Sequence, residues 1–306
     1  MRNLGKMAVL VIVILCSLSL LPLSACNNKE NLDSQKSFIW KISSEVNSIY
    51  LLGSIHVANP EIYPLDSSIE DAFELADNLA VEVDITQLDE MHTLQLITDY
   101  GTYPPGETLQ DHIPDDLYAQ LVEQFDFGFG TLNFDIYRPW VVATMQEQLQ
   151  LQELGYNAEY GIDLYFVNKA VETGKDIIEL ETADFQIELM STLPDELMIL
   201  VLEANLENPM TQEDGALLFE AWEDGDAAAM ELLFFEALDE EPALAPYYST
   251  LVYARNVTMA ETIEGFLADD ESYFVVVGAG HLVGENGLID ILAERGYVTE
   301  QLYDQD

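Results

Sequence analysis

Cysteine is almost absent from this 306-residue chain. The two cysteines are Cys16 and Cys26, and none follows Cys26. The rest of the chain therefore has neither a disulfide framework nor a thiol nucleophile, and its hydrophobic core alone must stabilise it. About 280 residues are enough to bury such a core, as one large domain or two small ones.

Basic residues are the second shortage. Ten Lys and Arg side chains stand against 57 Asp and Glu, which gives a formal net charge of −47 at pH 7. Nucleic-acid binding needs clustered Lys and Arg, so this class of partner is excluded. Anionic lipid would also repel such a surface. The acidic residues are spread along the chain and indicate a solvated acidic surface.

The one long apolar run with basic flanks lies at the N-terminus. Two basic residues precede an apolar stretch at 7–21, and the sequence LSAC at 23–26 follows. This is the plan of a secretory signal, and its end resembles a bacterial lipobox. We predict a lipoprotein signal peptide at 1–25, a lipid on Cys26 and a polar linker at 26–36. The protein is then exported and held outside the cytoplasm by its lipid anchor; the alternative is an ordinary signal peptide with an incidental cysteine.

Histidine is also scarce, and two of the four histidines close the same motif. The Gly-x-x-His sequences at 53–56 and 278–281 each follow an apolar run that reads as a strand. Open α/β sheets bind their ligands at the carboxyl ends of the strands. A glycine at such a point lets the backbone and a ligand approach closely. A single Gly-x-x-His motif is best interpreted as a structural turn with a hydrogen-bonded histidine. Two such motifs, each after a strand, favour a functional site.

Strand patterns flank a long helical middle. Apolar alternation and buried runs predict strands at 38–42, 48–55, 79–85, 176–180, 273–277 and 297–302. Helical periodicity predicts helices at 67–76, 86–99 with Thr86 as its cap, 114–125, 139–154, 161–173 and 288–295, and nearly throughout 182–269. A glycine- and aromatic-rich stretch at 127–133 is predicted as a loop. We therefore predict one mixed α/β domain at 37–303, with a central mixed sheet, flanking helices and a helical insert.

Four polar residues lie at the ends of these strands: His56, Glu82, Glu181 and His281. A parallel or mixed sheet would bring them to one rim. Two imidazoles and a carboxylate are suitable ligands for a divalent metal with open coordination positions, and water on such a metal becomes a nucleophile near neutral pH. A second carboxylate could act as general base or orient a ligand.

An ordered set of short blocks resembles the TraB/GumN (PrgY-like) family. The blocks are 38–42, 50–57, 79–84, 139–140, 160–163, 174–175, 180–182, Gln186, 255–256 and 277–281. The resemblance covers about residues 37–303. It implies a fold near those of erythromycin esterase (EreA) and ChaN-like proteins. Its animal members, the Tiki proteins, are membrane-tethered metal-dependent proteases that cleave the amino-terminal region of Wnt ligands.

Carried over residue by residue, the resemblance implies that His56, Glu82 and His281 hold a divalent metal, with Mn, Co and Zn all open. It also favours Arg255 as a site residue, which pairs with Glu82 or Glu181 or holds a substrate carboxylate. The first hypothesis is a lipid-anchored, metal-dependent hydrolase, a peptidase for a peptide or protein substrate, in which Glu181 assists as base or orienting group.

Two other functions remain open, because many bacterial members of the family have no assigned activity. One is a non-catalytic lipoprotein that sequesters a peptide or small ligand. The other is capture of haem or iron by one of the two motif histidines. Asp163 is either a helix cap or a site residue. His92 and His112 do not follow strands and are predicted to be ordinary surface or packing histidines.

Overall fold

The fold is built on one six-stranded sheet. The computed structural model describes residues 36–128 and 133–303. The strands are β1 (Lys36–Ser43), β2 (Ser48–Ser54), β3 (Asn78–Val81), β4 (Asp176–Glu179), β5 (Tyr273–Gly278) and β6 (Val298–Tyr303), in the order β4-β3-β5-β2-β1-β6. The neighbours β4, β3, β5 and β2 run parallel, while β1 is antiparallel to both β2 and β6. The predicted mixed sheet, completed by the C-terminal segment, is confirmed.

Helices surround the sheet and fill the middle of the chain. They are α1 (Ser67–Leu75), α2 (Glu90–Gly101), α3 (Asp115–Gly128), α4 (Pro139–Glu153), α5 (Ile162–Thr173), α6 (Ala183–Ser191), α7 (Asp195–Glu207), α8 (Gln212–Glu223), α9 (Ala227–Glu240), α10 (Ala245–Tyr248), α11 (Ala254–Ala268) and α12 (Leu288–Glu294). A π-helical turn, Ser249–Tyr253, leads directly into α11. No helix within the described ranges is long and apolar enough to cross a membrane.

The buried side chains form two clusters. One surrounds the sheet and includes side chains from α1, α5, α11 and α12. All six residues of β5 are buried, as expected for a central parallel strand that helices cover on both faces. The other cluster lies in the helical middle, among α3, α4, α7 and α10. The sheet cluster holds the central strands in place, and the polar residues that follow them are positioned at its rim.

Several predicted boundaries differ from the structure. Strand β3 ends at Val81, four residues early, because Asp84 caps a 3₁₀ turn at Ile85–Gln87. Asp89, rather than Thr86, caps α2 through the N–H groups of its first turn. Helix α3 continues to Gly128, so the predicted loop at 127–133 begins later than expected, and its residues 129–132 lie outside the described ranges. The predicted linker at 26–36 overlaps β1 at Lys36, which is the first residue of that strand.

The predicted signal peptide at 1–25, the anchor Cys26 and the linker up to residue 35 also lie outside the described residues.

Candidate functional site

The carboxyl ends of the parallel strands bring four predicted site residues to one rim. His56 follows β2, Glu82 follows β3, Glu181 follows β4 and the β5 motif ends in His281. The pairing of β3 and β4 continues past their ends, since the Glu181 N–H donates to the Glu82 carbonyl at 2.9 Å. Because these strands are parallel neighbours, residues far apart in sequence meet at a single edge of the sheet.

Glu82 lies at the centre of this rim, and both of its carboxylate oxygens are bonded. Its Oε1 accepts a hydrogen bond from the Gly278 N–H at 2.6 Å, and its Oε2 accepts one from Arg255 Nη2. The two motif histidines flank it. His56 Nε2 is 4.0 Å from Oε1, and His281 Nε2 is 3.9 Å from Oε2. Both separations exceed hydrogen-bond length.

The far nitrogen of each imidazole has a partner. His56 Nδ1 lies 3.1 Å from Asp163 Oδ1, and His281 Nδ1 lies 2.6 Å from Asn256 Oδ1. Both Nε2 atoms are buried and have no hydrogen-bond partner among the described residues. The two rings are therefore anchored from behind, with their Nε2 atoms on either side of Glu82.

Asp163 reaches His56 because the start of α5 packs on the exit of β2. The Ile162 N–H donates to the Ile55 carbonyl at 3.1 Å, and a Cβ on Gly161 would lie 2.3 Å from the His56 carbonyl oxygen. Only glycine allows this close approach. Gly161 is itself the N-cap of α5 and provides no side-chain cap. The Asp163 carboxylate pairs with His56, so it contacts the site.

Arg255 is buried between two carboxylates. Its Nε lies 3.0 Å from both Glu181 oxygens, its Nη2 lies 2.7 Å from Glu181 Oε2, and its Nη1 donates to the Leu251 carbonyl at 3.0 Å. The sequence predicts that Arg255 pairs with Glu82 or Glu181, and in the structure it pairs with both. Glu181 contacts Arg255 and Gln186 rather than either histidine. The Glu181 carboxylate is therefore linked to the Glu82 carboxylate through the Arg255 guanidinium.

The charges at the rim follow from these contacts. Burial raises the pKa of Glu82, but Arg255, the two histidines and the Gly278 N–H outweigh it and bring this pKa to about 2. Burial, with help from Arg255, lowers the pKa of His281 to about 3. Burial also lowers the pKa of His56, but the Asp163 carboxylate more than offsets this, so the net direction is upward. At neutral pH, Glu82 is ionised and His281 is neutral.

The two motif glycines have different roles. A Cβ on Gly278 would point into the gap between the histidines, 3.0 Å from His56 Nε2, 3.4 Å from Glu82 Oε1 and 3.6 Å from His281 Cδ2. A Cβ on Gly53 would instead lie 2.6 Å from the Phe38 ring. Gly278 therefore keeps the gap open, while Gly53 allows dense packing behind it. A small pocket next to the gap is lined in part by Ser54, His56 and Glu82.

The residues at the gap suit a divalent cation in the kind of ligand they provide. Two buried imidazole nitrogens, which have no hydrogen-bond partner in the part of the chain that the structure describes, and an ionised carboxylate surround space that a single methyl group would fill. As they stand, no three His, Cys, Asp or Glu side chains in the described ranges are close enough together to hold an ion. Ligands of one ion at about 2.0–2.2 Å are roughly 3 to 3.5 Å apart, so each imidazole, now 3.9 or 4.0 Å from Glu82, would have to move closer by roughly 0.5 to 1 Å.

Some functional contacts were not predicted from the sequence. The sequence identifies Asn256 only as part of a family block, yet its side chain is fully buried and contacts His281 Nδ1. Ser54, inside the first motif, has a buried Oγ at the pocket with no partner among the described residues. His92 and His112 have other partners: His92 Nε2 lies 2.8 Å from Asp184 Oδ2, and His112 Nε2 lies 3.0 Å from Glu107 Oε2.

The fold and site define an α/β protein with a polar, histidine-containing rim at the ends of its parallel strands. The chain belongs to the TraB/PrgY/gumN family, which it matches over residues 38–301. No solved structure matched the chain, so the expected likeness to EreA and ChaN-like folds remains a prediction.

Curated proteins of two kinds are similar to this chain. An uncharacterised Escherichia coli protein, YbaP, is 27% identical over 249 residues, which cover 79% of this chain and 87% of YbaP. The metalloproteases TIKI2 of Xenopus tropicalis and TIKI1 of Homo sapiens are each 24% identical, over 90% of this chain. This chain spans 61% and 64% of those two proteins' lengths.

Proposed function

We propose that this protein is a metal-dependent hydrolase that cleaves peptide bonds at the rim of its sheet. The main support is the arrangement at the gap that Gly278 keeps open. The buried Nε2 atoms of His56 and His281, which have no hydrogen-bond partner among the described residues, flank the ionised carboxylate of Glu82. The similarity to proteins named metalloproteases supports a peptide or protein as the substrate.

In this proposal His56, His281 and Glu82 hold the ion, which is Mn²⁺, Co²⁺ or Zn²⁺. A divalent ion there supplies Lewis acidity, which polarises a carbonyl group and lowers the pKa of water. The neutral state of His281 and the ionised state of Glu82 are the states that a cation requires of its ligands.

The other buried groups organise these three. Arg255 holds Glu82 in place and ionised, and Glu181 with Gln186 fixes the guanidinium from behind. This changes the role expected of Arg255, because its bonds to the carboxylates and to the Leu251 carbonyl leave it little capacity to bind a substrate. Glu181 is a positioning residue in the proposal, since its carboxylate contacts Arg255 and Gln186 rather than the gap.

The experiment is peptide hydrolysis by the full chain with and without added Mn²⁺, Co²⁺ or Zn²⁺, measured on a fluorogenic peptide library. His56→Gln should lower the rate by about 100-fold or more, because a lost ligand typically weakens metal binding and activity at least as much as a lost orienting group. His92→Gln is the matched control: this histidine is exposed and pairs with Asp184, and its removal should leave the rate unchanged. Equal rates for the two variants would refute the proposal.

The binder alternative has one observation in its favour, the engagement of both Glu82 oxygens by Arg255 and Gly278. A protein that only sequesters a ligand would keep its affinity in Glu82→Gln and show no turnover. A hydrolase would lose turnover in the same variant. Measuring binding and cleavage of one peptide with this variant separates the two functions.

We also propose that the chain is tethered to the bacterial membrane through a lipid on Cys26. Strand β1 is antiparallel to β2, so its first residue, Lys36, lies at the edge of the sheet where β2 ends. Nine residues lie between Cys26 and Lys36. Fully extended, this tether would hold Lys36 within about 35 Å of the lipid-bearing cysteine. Radioactive palmitate should label the wild type and not Cys26→Ser.

A further inference from the structure

The orientation of the Asn256 amide determines which nitrogen of His281 carries its proton. Asn256 Nδ2 donates to the Asn286 carbonyl at 2.7 Å. A carbonyl oxygen only accepts, so the amide nitrogen must face it and the amide oxygen must face His281. That oxygen lies 2.6 Å from His281 Nδ1 and also only accepts. The proton of the neutral ring is therefore on Nδ1.

The opposite tautomer would be unfavourable on both sides of the ring. Two lone pairs would meet at 2.6 Å between Nδ1 and the Asn256 oxygen. The Nε2–H would be fully buried, with the nearest carboxylate oxygen of Glu82 3.9 Å away. Such an unpaired buried donor is strongly unfavourable, because it loses its hydrogen bond to water and gains none in the protein. Nε2 of His281 thus carries a lone pair that faces the rim.

His56 is held in the same way by a different group. Its Nδ1 lies 3.1 Å from an oxygen of the Asp163 carboxylate, and a carboxylate oxygen accepts, so Nδ1 must be the donor. In the neutral ring Nε2 then carries the lone pair, and this atom lies 3.0 Å from the position that a Gly278 Cβ would occupy. The two surface histidines, His92 and His112, should have the opposite tautomer. In each of them Nε2 lies against a carboxylate oxygen, so Nε2 carries the proton.

We propose that Asn256 and Asp163 are positioning residues that fix His281 and His56 as Nδ1–H tautomers, and so direct two Nε2 lone pairs to the gap beside Gly278. The pair would accept an electron-poor centre, such as a divalent cation. The inference concerns the site of the proposed function, but it is argued from hydrogen bonds between residues of the protein itself. The orienting partner of a metal-binding histidine is typically a carboxylate or carbonyl of this kind.

The test is nitrogen-15 NMR of the full chain in detergent, with labelled histidine and a chelator present, at pH 8. Long-range couplings from the ring protons show which nitrogen of each ring is protonated. We expect His56 and His281 as Nδ1–H, and His92 and His112 as mainly Nε2–H, within one spectrum. An Nε2–H tautomer at His281 in the wild type would overturn the inference directly.

Variants separate positioning from simple structural support. Asp163 is partly exposed, so Asp163→Leu should fold and should release His56 from the Nδ1–H tautomer. Asp163→Glu, which keeps a carboxylate and so can only accept, should restore that tautomer. Asn256→Leu should do the same to His281. If that variant does not fold, the wild-type spectrum and the Asp163 pair still decide.

Folded leucine variants with unchanged tautomers would refute the role of the two residues. Metal affinity should fall by about 10–100-fold in the same leucine variants. Failure of the proposed hydrolysis would leave the tautomers as predicted, whereas reversed tautomers with intact hydrolysis would refute this inference alone.

Discussion

Replacement of Gly278 by alanine should disable the site while leaving the fold intact. The backbone at this residue has φ −54° and ψ 138°, which alanine adopts without strain. The added carbon would lie 3.0 Å from His56 Nε2 and 3.4 Å from Glu82 Oε1. An ion about 2.0–2.2 Å from that nitrogen would have to occupy the same space as the methyl group.

The magnitudes follow from these distances. The contact at 3.0 Å is tight but needs only a few tenths of an ångström of relief from the imidazole, so overpacking should cost about 1–2 kcal/mol. The alanine recovers about 0.4–1 kcal/mol through the unfolded chain. The net change in stability should therefore shift Tm by less than about 5 °C in a domain of this size. Metal affinity should fall by about 100-fold or more, which is roughly 2.7 kcal/mol.

Calorimetric titration with Zn²⁺ and thermal unfolding measure the two quantities on one preparation. The control is Gly265→Ala in α11, where an added Cβ would meet no described atom within 4 Å outside the backbone of its own helix. It should raise stability by up to about 1 kcal/mol and leave metal binding unchanged. A Gly278→Ala variant that binds metal as tightly as Gly265→Ala would refute the assignment of the gap.

Three further predictions concern stability. Arg255→Met leaves two buried carboxylates without their cation and should cost about 3–5 kcal/mol in urea unfolding, whereas a loss below about 1 kcal/mol would contradict the buried network. Gly53→Ala should destabilise by about 1–3 kcal/mol because its Cβ meets the Phe38 ring at 2.6 Å, and a Tm equal to that of the wild type would refute this packing role. Burial raises the pKa of Glu147 in α4 well above its usual value. The raised pKa stabilises the fold fully below the unfolded-state pKa of Glu147, and this stabilisation is lost as pH rises through the folded-state pKa. Glutamine does not titrate, so Glu147→Gln should have the same Tm as the wild type near pH 4 and a higher Tm than the wild type near pH 8. A Tm difference that does not depend on pH would contradict this.

The rim was predictable because it depends on short-range patterns. Apolar runs identify the strands that precede His56 and His281, and parallel neighbours necessarily end at one edge. The same reasoning explains why Glu82 and Glu181 are adjacent. What the patterns do not contain is the partner of each polar atom.

Those partners come from distant elements. Asn256 precedes its histidine by 25 residues and lies on another helix, and Asp163 follows its histidine by 107 residues. Nothing in the local sequence distinguishes the capping and pairing roles of Asp163, since both need an acidic residue in the first turn of a helix. The two motif glycines likewise look identical in sequence, and only their neighbours in space separate packing at Gly53 from an open gap at Gly278.

Anomalous diffraction from crystals of the protein loaded with Mn²⁺, Co²⁺ or Zn²⁺ tests the proposed metal site most directly. We expect one strong peak, about 2.0–2.2 Å from Nε2 of both His56 and His281, with a Glu82 oxygen as the third ligand. A loaded crystal whose peak lies elsewhere, or that shows no peak between the two imidazoles, would contradict the proposed metal site.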